Sequence, residues 1–382
     1  MKRQASVRKR PGLATMPVYP EPAARPNAIC PYYTMFPLAF PWHVLKSAAS
    51  TSRVLDPFCG RGTTAYAARL LGLTTVGVDT NPVAIAIARS KLVKVRPSAV
   101  VARCKQLLAA PIEASVPRGE FWSLAYHPRT LKQICRLREG LRSASSQPVD
   151  IVLQALVLGI LHGPRTRQAP TYLSNQMPRT YATKPDGAVR YWREHSTDAP
   201  EVDLAEAVER RAMYTLASQP PPGKGRIVLG DSRRASLDRG LGPFDFVVTS
   251  PPYFGMYTYY PDQWLRAWFL GGPTVPTERG MVQLGHGTRE QFIANLATVW
   301  RRVAGVTRPG VKLAIRFGSL PSAPLEPEAA IRDSLKLAES GWVITRARAA
   351  GNSPRGRRQA DQFLNAAGEM VDEVDVYATR RG

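Results

Sequence analysis

The stretch Phe244-Asp-Phe-Val-Val-Thr-Ser-Pro-Pro-Tyr-Phe254 decides the fold of this chain. Its first five residues are apolar apart from Asp245, which is typical of a strand buried on both faces in a parallel sheet. The two prolines then remove two backbone donors and fix φ, so we expect a stiff loop that carries the Ser250 hydroxyl and the Tyr253 ring. A strand-ending turn with the tyrosine packed in the core is equally consistent with this stretch alone.

A second motif, Val54-Leu-Asp-Pro-Phe-Cys-Gly-Arg-Gly-Thr-Thr64, has the pattern of a short strand, a Gly-x-Gly turn and a helix from Thr63 to Leu71. Glycines let a backbone approach a ligand, and a helix N-terminus favours a polar or anionic group. Thr75-Val-Gly-Val-Asp79 follows as a strand that ends in an acid, at the spacing where a carboxylate meets a ribose in nucleotide-binding sheets. Residues 63–65 supply no third glycine, which disfavours a dinucleotide-dependent dehydrogenase.

The remaining patterns predict the fold class. Asn81 is a good N-cap and Pro82 a good first residue for a helix, so strand and helix alternate as in a doubly wound sheet. Further strands are predicted at residues 226–232, 311–317, 342–345 and 374–378, and helices at 262–269 and from the capping-box spacing of Thr288 and Gln291 to about residue 304. We therefore predict an α/β fold with a doubly wound, mostly parallel sheet and a mainly helical insertion.

Residues 56–64 and the loop Thr249-Ser-Pro-Pro-Tyr253 together resemble the S-adenosylmethionine-dependent amino-methyltransferases of DNA, in particular the N4-cytosine branch. The resemblance covers roughly residues 30–97 and 224–382 and implies a Rossmann-like class I methyltransferase fold with S-adenosylmethionine as cofactor. The cofactor-binding residues that it implies are Phe36, Pro37, Asp56, Pro57, Phe58, Gly60, Gly62, Thr63, Asp79 and Asp231. The catalytic residues that it implies are Ser250, Pro251, Pro252 and Tyr253.

The resemblance also implies roles. The first motif would bind the methionine part of the cofactor, with Phe36-Pro37 closing over it, Asp79 holding the ribose and Asp231 approaching the adenine amino group. The Ser250 hydroxyl and the carbonyl after it would accept hydrogen bonds from the target amine, while Tyr253 stacks on the base. A base in duplex DNA would have to be flipped out to reach this loop.

Cytosine N4 and adenine N6 present the same donor and acceptor edge, so physical reasoning leaves the base open. N6-adenine enzymes usually have Asp or Asn where this chain has Ser250, so the resemblance favours N4-cytosine. An N6-adenine DNA enzyme and an RNA base methyltransferase are the alternatives, and a non-catalytic DNA-binding protein is disfavoured because Asp56, Asp79 and Tyr253 are all present as well. The resemblance further implies a restriction-modification system with a cognate restriction endonuclease, or a solitary methylase.

The charge of the chain indicates a polyanionic partner. Lys and Arg number 52 against 29 acids, a net charge of +23, which does not separate DNA from RNA. The four cysteines show no paired metal spacing, so we expect free thiols and no metal site. The longest apolar run, residues 151–161, is too short to span a membrane, and the N-terminus lacks an apolar signal core. We therefore expect a cytoplasmic protein with no membrane partner.

Composition divides the chain into four parts. Residues 1–27 are predicted to be a disordered basic tail, 28–97 the cofactor-binding part, 98–222 the helical insertion and 223–382 the catalytic part. Residues 162–184 and 190–193 interleave arginines, amides, hydroxyls and aromatic rings, the chemistry that contacts phosphates and base edges, so the insertion is a predicted target-recognition region. An irregular surface loop is the alternative. A second basic loop is predicted from Arg346, Arg348, Arg355, Arg357 and Arg358.

Overall fold

One seven-stranded sheet organises the part of the chain that the computed structural model describes, which is residues 21–32, 37–143, 147–163, 171–175, 185–256, 263–276, 284, 287–320, 323–350 and 373–381. The strands are Arg53–Asp56 (β1), Thr74–Asp79 (β2), Lys224–Leu229 (β3), Phe244–Thr249 (β4), Thr307–Gly318 (β5), Trp342–Ala349 (β6) and Glu373–Arg380 (β7). Their order is β3-β2-β1-β4-β5-β7-β6, and only β7 runs antiparallel to its neighbours. The predicted doubly wound, mostly parallel sheet is confirmed, with the strand order of Rossmann-like class I methyltransferases.

Thirteen helices accompany this sheet within the described residues. In chain order they are Glu21–Ala24 (α1), Ala39–Leu45 (α2), Thr63–Leu70 (α3), Pro82–Ser90 (α4), Pro97–Ala109 (α5), Glu120–Ala125 (α6), Pro128–Ser143 (α7), Pro148–Ile160 (α8), Pro185–Glu194 (α9), Leu204–Leu216 (α10), Trp264–Phe269 (α11), Arg289–Gly305 (α12) and Pro327–Leu337 (α13). Two predicted caps are present: Asn81 accepts a hydrogen bond from the Val83 amide at 2.9 Å, and Thr288 forms a capping box with Gln291.

Strand β4 is central and buried, as its apolar sequence predicts. Because successive side chains of a strand point to opposite faces, Phe246 and Val248 pack with α2 and α3 on one face, whereas Val247 packs with α12 and α13 on the other. The chain order of the strands reverses between β1 and β4, so their carboxyl ends open the crevice where doubly wound sheets bind ligands.

The insertion between β2 and β3 is helical, as predicted, and consists of α5 to α10. It shares one apolar core with α4 and α11, so it packs as part of the sheet's helical layer. Trp264 and Trp268 of α11 face Trp122 of α6, with ring centroids 5.7 and 4.5 Å apart. Of the segment 162–184 that sequence patterns single out, only residues 162–163 and 171–175 lie within the described ranges, whereas residues 190–193 lie on α9.

Two predictions near the ends of the chain were wrong in part. Residues 21–28, whose first seven were predicted to belong to a disordered tail, form α1 and a 3-10 turn, because Asn27 is buried and accepts a hydrogen bond from Lys91 Nζ at 2.7 Å. Residues 1–20 lie outside the described part. Arg346 and Arg348, predicted in a basic loop, belong to β6, and Arg348 donates to the Tyr377 hydroxyl of β7 at 2.9 Å. The other three arginines of that loop lie outside the described residues.

None of the described helices is both long enough and apolar enough to cross a membrane.

Candidate functional site

Hydrogen bonds join the two sequence motifs at the carboxyl ends of β1 and β4. The strands pair in parallel, with Leu55 opposite Val247. The buried Thr249 hydroxyl, one residue past the last apolar position of β4, donates to Asp56 Oδ1 at 2.6 Å. The Thr64 hydroxyl of α3 donates back to the Val248 carbonyl at 3.2 Å. The turn after β1 and the loop after β4 therefore form one connected site, although they lie far apart in sequence.

Asp56 is the buried acid of this site. It is 0% exposed, and besides the Thr249 hydroxyl its Oδ1 accepts from the Phe58 amide at 3.1 Å. Its Oδ2 is buried, and none of the described residues forms a hydrogen bond with it. Burial raises the pKa of Asp56 to about 6, against the lowering effect of these hydrogen bonds. A buried acceptor without a partner costs free energy, so Asp56 Oδ2 is suited to a ligand donor such as an ammonium group.

The Gly-x-Gly turn gives a ligand room beside the backbone. Gly60 has φ +48, and a Cβ built there meets no atom within 4 Å, so open space lies next to it. Gly62 has φ +78 at the N-cap of α3, and a Cβ there would lie 2.8 Å from Ala88 Cβ of α4. The open space beside Gly60, called the cradle below, can therefore receive a ligand. Gly62 permits the close approach of α3 and α4.

Asp79 is tied to the same turn. Its Oδ2 accepts from the Gly60 amide at 2.9 Å, and its Oδ1 accepts from the Asn81 amide at 2.8 Å. Burial raises its pKa against the lowering effect of these amide bonds. The carboxylate is therefore held at the end of β2 beside the cradle, where the resemblance places a ribose contact.

Asp231 lies next to the turn, but an arginine already engages its carboxylate. Arg233 donates to both of its oxygens, with the shortest distance at 2.7 Å, and although burial raises the pKa of Asp231, these bonds lower it overall. The following residue, Ser232, donates to the Pro57 carbonyl at 2.6 Å. The structure thus brings Asp231 close to the first motif, and its role toward an adenine amino group stays a prediction.

The other predicted cofactor residues lie in different settings. Thr63 is buried at the start of α3, and Pro57 is buried in the turn. Phe58 is half-buried and packs edge-on against Trp300, with centroids 6.1 Å apart. Pro37 is exposed just before α2, and Phe36 lies outside the described residues.

The predicted catalytic loop leaves β4 directly after Thr249. Ser250 is half-buried, and neither its hydroxyl nor the Pro251 carbonyl forms a hydrogen bond with another described residue. Pro251 is buried and Pro252 half-buried. The Ser250 hydroxyl and the Pro251 carbonyl can therefore accept hydrogen bonds from an amine.

Tyr253 is packed in the core, so little of its ring is open to a stacking base. Its ring is 4% exposed and meets Phe317 edge-on, with centroids 5.6 Å apart. Its hydroxyl donates to Glu373 Oε1 at 2.9 Å. The packed position that the sequence left open as an alternative is therefore the one observed in this structure.

Sequence reasoning missed two contributors to this site. Thr249 stands inside a quoted motif but received no role, and Glu373 gave no signal because it lies 120 residues from the tyrosine that it binds. One signal could have indicated the contact between Thr249 and Asp56. Strand β4 ends in a hydroxyl and the neighbouring strand β1 ends in an acid, so the two side chains can meet at the same edge of the sheet.

Comparison with protein families gives one match. Residues 16–90 match the model described as a DNA methylase of the N6/N4 amino-methyltransferase type, and they include β1, the Gly-x-Gly turn and Asp79. Together with the strand order, this match supports a methyltransferase that uses S-adenosylmethionine. The buried Asp56 Oδ2 and the open space at Gly60 fit that cofactor. No curated protein matches the chain.

Solved structures match over most of this chain at low identity, 86 chains in all. TrmN from Thermus thermophilus matches at 11% identity over 90% of this chain and 48% of its own length, with a TM-score of 0.34, so this chain spans about half of that protein. The rRNA methyltransferase aviRa from Streptomyces viridochromogenes matches at 13% over 92% and 87% of the two chains, with a TM-score of 0.34. A SAM-dependent methyltransferase from Methanosarcina mazei matches at 10% over 91% and 99%, with a TM-score of 0.37. We base the fold on the strand order of this chain.

Proposed function

We propose that the protein transfers a methyl group from S-adenosylmethionine to the exocyclic N4 of cytosine in DNA, as a site-specific enzyme. The observation that supports the proposal is the hydrogen bond from Thr249 to Asp56 at 2.6 Å, because it joins the strand end before Ser250 to the strand end before the Gly60 turn. The match of residues 16–90 to a DNA methylase model supports DNA as the substrate.

The chemistry follows from the weakness of the target amine as a nucleophile. Its lone pair is delocalised into the ring of the base, and the cofactor supplies an electrophilic methyl group on a sulfonium. The Ser250 hydroxyl and the Pro251 carbonyl, which form no hydrogen bond with the described residues, can accept both N–H groups of the amine and direct its nitrogen toward the space at Gly60. As the C–N bond formed, the bond between the methyl carbon and the sulfonium sulfur would break and leave a neutral thioether. Positive charge would develop on the amine nitrogen, where the two acceptors would stabilise it, and the proton would then pass to solvent, so no strong base is required.

Tyr253 is proposed to stack on the target base. Its rigid position, fixed by Phe317 and Glu373, would give a flipped base a preorganised surface. Because the ring is 4% exposed here, stacking requires that groups covering one face of the ring move when nucleic acid binds.

DNA recognition is proposed to involve the insertion. The net charge of +23 supports binding to a polyanion, and the helical segment 98–222 is proposed as the target-recognition region between the cofactor-binding and catalytic parts. A cognate restriction endonuclease is proposed as a partner in a restriction-modification system. N6-adenine in DNA presents the same edge to Ser250, and an RNA base is the third candidate substrate.

The Ser250→Ala variant tests the catalytic role. It removes an acceptor but no internal hydrogen bond of the described structure, so the fold and DNA binding should be unchanged while methyl transfer falls by about 100-fold or more. Ser340→Ala is the matched control, since the Ser340 hydroxyl donates at 2.7 Å to the Ala338 carbonyl in the turn before β6. Transfer of labelled methyl groups and DNA affinity are measured side by side. Wild-type activity in Ser250→Ala would refute the role.

A further inference from the structure

Three basic side chains bind the chain beside the buried Cys30: Lys91 Nζ donates to Asn27 Oδ1 at 2.7 Å, Arg211 Nη2 to the Ala28 carbonyl at 2.9 Å and Arg266 Nη1 to the Pro31 carbonyl at 2.8 Å. The charge of a fourth, Arg61, also acts on the thiol. Their charges all lower its pKa, although the larger effect of burial raises it. Arg266 is 0% exposed and Lys91 is 1% exposed. No carboxylate of the described residues forms an ion pair with any of the four. Burial lowers the pKa of Lys91 well below its usual value, so the three arginines carry the charge of this cluster. A buried guanidinium without a counter-ion, as in Arg266, is costly, so the cluster favours an anion.

Arg266 on α11 is held rigidly with one nitrogen left open. Its Nε donates to the Leu158 carbonyl of α8 at 3.0 Å, and its Nη1 donates to the Pro31 carbonyl and to Gln263 Oε1, both at 2.8 Å. Among the described residues, its buried Nη2 has no hydrogen-bond partner, and neither has the Nε2 of Gln263, which is itself 0% exposed. Two unpaired N–H donors therefore lie on neighbouring, fixed side chains.

Two further unpaired nitrogen groups belong to this region. His162, at the end of α8, is 0% exposed and neither ring nitrogen has a partner. Burial and then the charge of Arg266 lower its pKa, so the ring is neutral and one nitrogen donates. Arg61 stands between Gly60 and Gly62, and its buried Nε has no hydrogen-bond partner among the described residues. Its backbone therefore belongs to the Gly-x-Gly turn, while its charge acts on Cys30 and Lys91.

These donors fit a small carboxylate better than a phosphate of a nucleic acid. Arg266, Gln263 and His162 are fully buried, so a polynucleotide backbone cannot reach them, whereas a small ligand seated at the Gly60 turn can extend toward Arg61. A guanidinium presents its N–H groups in the planar geometry that a carboxylate accepts. The methionine end of S-adenosylmethionine carries such a carboxylate beside an ammonium group, for which Asp56 Oδ2 is the free acceptor.

We propose that Arg266 and Arg61, assisted by Gln263 and His162, bind the α-carboxylate of S-adenosylmethionine. The proposal rests on the cofactor assignment made above and adds these residues of the insertion and of α11 to its site. It also explains why the described structure keeps the buried guanidinium of Arg266 without a carboxylate partner.

Binding calorimetry with two ligands tests the proposal without any turnover. S-adenosylmethionine and its decarboxylated form differ only in the carboxylate, so the wild-type protein should bind the former about 10- to 100-fold more tightly. In Arg266→Met and in Arg61→Met this ratio should fall to about threefold or less. Arg138→Met is the matched control: Arg138 donates to the Trp268 carbonyl of α11 at 2.8 Å but is not among the cations around Cys30, and the ratio should stay at the wild-type value.

Thermal unfolding of the ligand-free variants separates binding from folding. Arg61 forms no hydrogen bond or ion pair with the described residues, so Arg61→Met should raise the unfolding temperature while lowering cofactor affinity. Arg266→Met loses three hydrogen bonds and should lower the unfolding temperature, so Arg61→Met keeps the test readable if Arg266→Met does not fold.

The outcomes separate this proposal from the proposed function. Equal wild-type affinity for the two ligands, or an unchanged ratio in both variants, would refute the carboxylate site and leave the methyltransferase intact. Failure of the wild-type protein to bind either ligand would refute the cofactor and the site together.

Discussion

The hydroxyl of Thr249 donates a hydrogen bond of 2.6 Å to Oδ1 of Asp56, across the two strands at which the sheet changes direction. This contact turns two loops, separated by 193 residues, into one site. It also fixes the orientation of the buried carboxylate, so that Oδ2 is the oxygen left free for a ligand. Both the stability of the sheet edge and the affinity for the cofactor should depend on it.

Thr249→Val replaces the hydroxyl by a methyl group of similar size. Because the buried Asp56 loses a donor, the free energy of unfolding should fall by about 1–3 kcal/mol, measured by urea denaturation. Affinity for S-adenosylmethionine should fall in parallel. Thr249→Ser keeps the hydroxyl and serves as the control. Equal stability of the valine and serine variants would contradict a structural role for the bond.

Asp56 should give the stability of the protein a distinct pH dependence. Burial raises its folded-state pKa from 3.8 to about 6, so the folded state binds more protons than the unfolded state between these values. The free energy of unfolding should therefore fall as the pH rises from about 4 to about 6, by up to about 3 kcal/mol from this group. Asp56→Asn should lack this fall, and Asn replacement of the exposed Asp198 should retain it. The same slope in wild type and Asp56→Asn would contradict the prediction.

The two glycines of the first motif should respond differently to alanine. Gly62→Ala combines strain at φ +78 with a Cβ 2.8 Å from Ala88 Cβ, so it should destabilise the fold by about 2–4 kcal/mol. Gly72→Ala, at φ +70 with nothing within 4 Å, reports the strain alone, at about 1 kcal/mol. Gly60→Ala should lower the free energy of unfolding by about the same amount as Gly72→Ala, about 1 kcal/mol. It should also weaken cofactor binding, because its methyl group enters the cradle. Thermal unfolding and calorimetry distinguish these cases, and equal losses at Gly62 and Gly72 would show that the helix contact can relax.

Tyr253→Phe tests whether the ring or its hydroxyl matters. The variant loses the bond to Glu373, for which we expect a loss of about 1 kcal/mol in stability, but it keeps the apolar packing against Phe317. If the ring stacks on the base, methyl transfer should stay within about fivefold of wild type, a difference below about 1 kcal/mol in the barrier. Glu373→Gln should keep both the stability and the methyl transfer of wild type, since its amide oxygen still accepts from the tyrosine. A loss of more than 100-fold in Tyr253→Phe would assign the hydroxyl itself to catalysis.

Local patterns predicted the elements of this fold well. Each of the seven strands contains a short run of apolar or β-branched residues. Asn81 and Thr288 cap their helices with their side-chain oxygens. The exception is the second half of β6, which was predicted as a loop because Arg346 and Arg348 interrupt the apolar pattern. These arginines are tolerated in a strand because β6 lies exposed at the edge of the sheet.

The contacts inside the site could not be predicted in the same way. The bond from Tyr253 to Glu373 joins residues 120 positions apart, and the one from Arg266 to Pro31 spans 235 positions. No periodicity or motif carries such information, since these partners meet only after the sheet and the insertion have packed. The sequence thus indicated which two loops meet in the candidate site, while the buried charges beside them could be seen only after packing.

The most direct test of the central claim is the identity of the labelled base. The purified protein is incubated with S-adenosylmethionine labelled in its methyl group and with mixed duplex DNA, which is then digested to nucleosides. We predict label in N4-methylcytosine. Label in N6-methyladenine would keep the mechanism and overturn the base, and label only in RNA offered separately would contradict a DNA enzyme.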